Sequence, residues 1–183
     1  MAASNEIIFN QRTGQLIKFI KTSSNTDGAL LEINATFYRK SEAPALHYHP
    51  FQTENFRVIS GELTVNIDNR IVVLKEGDTL CIPPNSVHAM WNSSLQKTIV
   101  NWQVRPALKT EYFLKTITGL ANDNKTNAKG VPCIWQMVLT AHKYNQILRL
   151  NKPSFFIQKI LFTLLAPVAR LLGYKADYDK YFN

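Results

Sequence analysis

The stretch "LHYHPFQTE", Leu46 to Glu54, sets two histidines two residues apart and a glutamate five residues after the second, in a chain holding four histidines in all. On an extended strand, residues two apart project from the same face. His47 and His49 therefore point together, and Tyr48 points away. Pro50 ends the pairing. The chain then turns, and Glu54 opens a new strand with Phe56 and Val58 on its side. A carboxylate on the neighbouring strand can reach the place the histidines face. Two neutral imidazoles and one carboxylate suit a first-row divalent metal. They leave positions open, which catalytic sites need and structural sites usually lack.

Such a set calls for a fourth ligand, and "GDTLCIPPNSVHAMWN", Gly77 to Asn92, offers His88. Gly77 and Asp78 make a turn, a strand follows, and Pro83-Pro84-Asn85 turns the chain again. His88 then opens another strand, with Met90 and Asn92 on its face. Other strands surround these two segments. "ALLEINATFY" alternates, "GELTVNI" and "RIVVLK" flank the hairpin pair Asp68-Asn69, and "KTIVNWQV" closes the series. Short strands at regular turn spacing predict an all-β sandwich or barrel.

The pattern changes after Arg105-Pro106, which predicts a β-domain over 1–105 and a helical extension over 106–183. "ALKTEYFLKTI" reads as a helix. "WQMVLTAHKYNQILRL" places Met137, Ala141, Tyr144 and Leu148 on one face at helical spacing. "SFFIQKILFTLLAPVARLLGY" reads as a third helix, bent at Pro167. Ile157, Leu161, Leu164 and Leu165 are its expected packing residues, against the barrel or a partner subunit. The less favoured reading lays this helix on an anionic membrane as a peripheral contact.

Charge divides at the same place. The chain has 183 residues, 45% of them apolar, and a net charge of +8. Through Val104 there are nine Lys/Arg and nine Asp/Glu; from Arg105 there are twelve and four. No nucleic-acid motif accompanies the basic segment, so nucleic acid is not an expected partner. The N-terminal "MAASNEIIFNQRTGQ" has no apolar run of the secretory kind, which predicts a cytoplasmic, reducing setting. The two cysteines, Cys81 and Cys133, are then expected as free thiols, with Cys81 buried on its strand and His142 an ordinary helix residue.

With these residues in place, "HYHPFQTENFRVISG" resembles the first cupin motif through His47, His49, Glu54 and Gly61. The second segment resembles the second cupin motif through Gly77, Pro83, His88 and Asn92. Two departures stand out. Ser41 replaces the glycine usual before the first histidine, and Asn85 replaces the glycine after the proline. Asparagine tolerates positive φ better than most residues. The resemblance spans about residues 30–105. It implies a mainly β fold, the double-stranded β-helix or cupin jelly-roll barrel, with C-terminal α-helices beyond it. It also implies one metal ion inside the barrel, bound by His47, His49, Glu54 and His88. The "TGQ" turn near the start and the closing "APVARLLGY" are similar to those of small bacterial cupins, whose neighbours are quercetin-dioxygenase-like.

Residues sharing faces with the ligands describe the expected pocket. Phe37, Phe56, Val58 and Met90 point inward, with Ile33 as a further candidate. Arg57 lies on the opposite face, so no cation awaits a substrate phosphate, and the sugar-phosphate branches of the family are disfavoured. An apolar pocket over an open centre of iron, manganese, nickel or zinc suits a small neutral or aromatic molecule. Glu54 is the one inward carboxylate and the candidate catalytic residue, as a base or as a ligand. Three readings follow. One is a dioxygenase-like oxidoreductase. Another is a metal-bearing module that binds or senses a small molecule without turnover. The third is an interaction protein acting through its helical tail. Leu46, Tyr48 and Trp91, opposite the ligands, suggest a homodimer surface.

Overall fold

The computed structural model describes residues 5–39 and 41–182; the first four residues of the polar N-terminal stretch lie outside them. Ten strands come first: β1 (Ile7–Asn10), β2 (Gln15–Lys21), β3 (Leu31–Phe37), β4 (His47–Tyr48), β5 (Thr53–Ser60), β6 (Leu63–Ile67), β7 (Arg70–Leu74), β8 (Thr79–Ile82), β9 (His88–Trp91) and β10 (Thr98–Arg105). Then follow α1 (Thr110–Asn122), α2 (Ile134–Lys143), β11 (Arg149–Leu150) and α3 (Phe155–Leu171).

Alternation builds the strands. In β5, Glu54, Phe56 and Val58 are buried while Arg57 and Ile59 are exposed, the period of two that a half-buried strand requires. The β6–β7 hairpin turns through Asp68 and Asn69, at φ 47° and 65°. Two positive φ values in a two-residue loop match the right-handed twist of the flanking strands. Gly61, at φ 83°, has no room for a side chain: a Cβ there meets the Lys97 carbonyl oxygen at 2.7 Å.

All pairings are antiparallel. One sheet runs β1-β2-β3-β10-β5-β8 and the other β11-β4-β9-β6-β7. Their facing sides supply one core, with Ala35, Phe37, Phe56 and Val100 from the first sheet and Val65 and Met90 from the second. Fully burying a side chain such as Phe56 stabilises the fold by about 1.5–3 kcal/mol. The architecture is therefore mainly β, a double-stranded β-helix with helices after it. A second cluster joins Phe19, Leu31, Ile33 and Val104 to Ala107 and Leu114, so α1 closes one end of the barrel.

Several expectations change. Cys81 is exposed, because its neighbours Leu80 and Ile82 take the inward positions of β8 and send it outward. The expected helix through Leu150 stops at Lys143; Tyr144 turns the chain, and Arg149 and Leu150 pair with Tyr48 and His47. The buried face of α2 carries Val138 and Leu139 with Gln136 and Thr140, not the Met137 stripe. Helix α3 runs through Pro167 to Leu171 and packs on α2, with Ala166 and Ala169 fully buried between them. Small residues permit that close approach. Of its four expected packing residues only Leu165 joins this contact, and Ile157, Leu161 and Leu164 remain 46%, 43% and 67% exposed.

Candidate metal centre

Three strands carry the site. Strand β4 holds His47 with His49 just past its end, β9 begins at His88, and β5 brings Glu54. The backbone pairing sets His47 directly opposite His88. Asn85, at φ 69°, supplies the turn before β9, and its N–H donates to the His49 carbonyl at 2.9 Å. Asn92 ties the far end, donating its amide to the carbonyls of Phe37, Tyr38 and Gln96. Ser41 takes up the neighbouring slot by accepting the Asn92 N–H at 2.8 Å. The two motif departures therefore keep both turns.

Each imidazole is oriented by a backbone carbonyl. His47 Nδ1 lies 2.8 Å from the Ala45 oxygen, His49 Nδ1 2.5 Å from that of Ile147, and His88 Nδ1 2.9 Å from that of Ser86. A carbonyl can only accept, so each Nδ1 carries a proton, which leaves Nε2 as the position where the ring takes a metal ion or a second proton. The three rings converge, with one ligand nitrogen from each within 4.8 Å of the others. Glu54 Oε2 stands 2.9 Å from His88 Nε2, and Oε1 stands 3.3 Å from His49 Nε2. Trp102 Nε1 donates to Oε1 at 3.1 Å and steers the carboxylate.

The outcome is a cluster of buried acceptors facing one another. His49 Nε2, His88 Nε2 and Glu54 Oε2 are buried without a hydrogen-bond partner. Uncompensated buried acceptors are costly, and a cation at their centre, proton or metal ion, satisfies them together. Burial, reinforced by His49 and His88, pushes the His47 pKa down to about 3, so that ring is neutral and ready to ligate. Burial lifts Glu54, but the imidazoles outweigh it and hold the carboxyl below its ordinary range. Burial lowers His88, and the Glu54 carboxylate more than offsets this, leaving the ring above its ordinary value.

The four residues expected around the site all face the interior. Phe37, Phe56, Val58 and Met90 are buried in the packed core, and Phe56 stacks on Trp102 with centroids 5.5 Å apart. Ile33 belongs to the cluster under α1, farther along the barrel. Arg57 is exposed, as its place on β5 requires. His49 and His88 are buried and His47 is half-buried, so the approach to the site lies on the His47 side. Trp102 and the carbonyls that orient the rings escaped the sequence reading. Trp102 follows from the alternation of β10 once its register with Phe56 is known. The Ile147 carbonyl has no sequence signal, since every residue carries that group.

Residues 37–102 match the family model of the cupin domain. Over 75 residues the chain is 32% identical to quercetin 2,3-dioxygenase of Bacillus subtilis (strain 168), covering 41% of this chain and 22% of that protein. Over 60 residues it is 37% identical to an oxidoreductase of Arthrobotrys oligospora, covering 32% of this chain and 24% of that protein. The chain thus spans less than a quarter of the length of these curated relatives. A solved structure titled as a predicted oxalate decarboxylase from Thermotoga maritima superposes with a TM-score of 0.50 at 17% identity, over 58% of this chain and 99% of that one. That likeness concerns the fold.

Proposed function

We propose, from the premise that this chain carries a cupin domain, that its barrel is a metal centre acting on a small neutral or aromatic molecule in a dioxygenase-like manner. The observation that carries this is the trio of Nδ1–carbonyl bonds, which turns three Nε2 lone pairs toward one point beside a carboxylate. The donor set fits iron, manganese, nickel or zinc. His47, His49 and His88 hold the ion through Nε2, and Glu54 completes the set. Both Glu54 oxygens face imidazoles, which sets the carboxylate beside the ion as a further ligand or as a base. When bound, the metal supplies Lewis-acid polarisation of the substrate and, if redox-active, electron exchange with dioxygen.

The protein's own residues do the rest. Ala45, Ser86 and Ile147 hold the rings in the ligating tautomer. Trp102 keeps Glu54 from swinging away. The packed Phe56, Val58 and Met90 layer excludes water from behind the site, and the half-buried His47 leaves one side open to a substrate. Oxygen uptake over a panel of small neutral and aromatic compounds tests the reading. Consumption that disappears in His49→Ala supports it. Retention of a compound without product supports a binding or sensing module instead. Full function with His47 and His49 both replaced would point to the helical tail.

A homodimer belongs to the same proposal. Leu46, Tyr48 and Trp91 are half-buried, whereas Ile71 and Val73 on the edge strand β7 are 59% and 48% exposed. Edge pairing through β7 covers them, and light scattering at micromolar concentration reads the mass, with a monomer contradicting it.

A further inference from the structure

Helix α3 is fixed on one side only. Ala166 and Ala169 lie against α2 with Phe162 and Leu165. Gln158, buried, donates to the carbonyls of Leu150 and Pro153 at 2.8 and 2.6 Å. On the other side Phe156, Ile160, Leu164 and Leu171 are 73%, 44%, 67% and 88% exposed, with Ile157 and Val168 among them. At about 100° per residue these six fall in one arc of roughly 120°. Exposed Lys159 and Arg170 border that arc on the side toward α2. The helix itself has no acid. From residue 124 to 176 there are eight Lys/Arg and no Asp/Glu, an excess equal to the +8 of the whole chain.

The geometry points to α3 lying in the plane of an anionic lipid surface, its apolar arc inserted and its bordering cations on the headgroups. This rests on the helix alone and holds whatever the barrel catalyses. An apolar face edged by Lys and Arg is the pattern that seats a helix at a membrane interface, and cations beside it are drawn to anionic lipid. Charge argues against a second copy as the occupant. A two-fold contact presents the same surface to itself, so a cationic helix would face its own cations with no acid to answer them. Nucleic acid would answer the charge and leave the apolar arc in water. Spanning is excluded by length: 17 residues rise about 25 Å against a hydrocarbon core of about 30 Å. No helix among the described residues is long and apolar enough to cross a membrane.

Flotation of the full chain with phosphatidylcholine vesicles, with and without phosphatidylglycerol, tests the proposal. The intact chain should float with the anionic vesicles, and less so at high salt. The double variant Leu164→Glu/Leu171→Glu should weaken this by about tenfold or more with an unchanged melting temperature, since both side chains are largely exposed. Lys159→Gln/Arg170→Gln should reduce the preference for anionic lipid and its salt sensitivity. The proposal is overturned if the intact chain stays unbound with both vesicle types, or if the Leu164/Leu171 variant floats as well as the parent. It is also overturned if light scattering shows an assembly that the same variant splits, which would make the face a contact between copies.

Discussion

Gly61 and Asn85 show how single residues hold the site's turns. Both have positive φ, but only Gly61 also sits against backbone, where a Cβ meets the Lys97 carbonyl at 2.7 Å. Gly61→Ala should therefore destabilise the fold by about 2–3 kcal/mol, from left-handed strain plus the clash, read as a lowered denaturant midpoint. A midpoint equal to the parent's would remove the clash argument. The convergence of His47, His49 and His88 was legible because two-residue spacing on a strand and the His88 segment leave little freedom in where they point. Trp102 was less legible: its role depends on the register of β10 against β5, which no local pattern states. Inward direction can be read from alternation, but whether inward residues line a space or close it depends on the distance between the sheets.

Elements follow the same division. The β6–β7 hairpin is written in Asp68-Asn69 and the alternation around it. The end of α2 is not, because "YNQIL" continues a helical pattern while β4 offers Arg149 and Leu150 a strand partner. That tertiary pairing overrides local propensity. It also matters chemically, since the same turn brings the Ile147 carbonyl to His49. The start of α3 depends on Gln158, whose amide serves two carbonyls from a buried position. Gln158→Ala leaves both acceptors without that donor and should cost about 2 kcal/mol. Hydrogen exchange should show faster opening at the first turn of α3, and protection unchanged there would contradict the assignment.

For the whole molecule, the barrel and the helical segment share structure through β11 and α1, while α3 rests on α2. Cutting the chain after Asn151 keeps β11 and the Ile147 carbonyl but uncovers Val138 and Leu139, which are almost fully buried in the intact chain. The truncated protein should aggregate or melt at lower temperature, yet bind metal with the parent's stoichiometry. A soluble product with an unchanged melting temperature would show that α3 contributes no packing. The charge division at Arg105 was legible by counting. That α3 turns its alanines inward and its leucines outward was not, since an apolar helix read alone has no marked inside. The central claim is the metal centre, and metal analysis of protein purified without a histidine tag tests it most directly. One first-row divalent ion per chain in the parent, and a large loss in His49→Ala, is the predicted result. A metal-free parent, or a stoichiometry unchanged by His49→Ala, would contradict it.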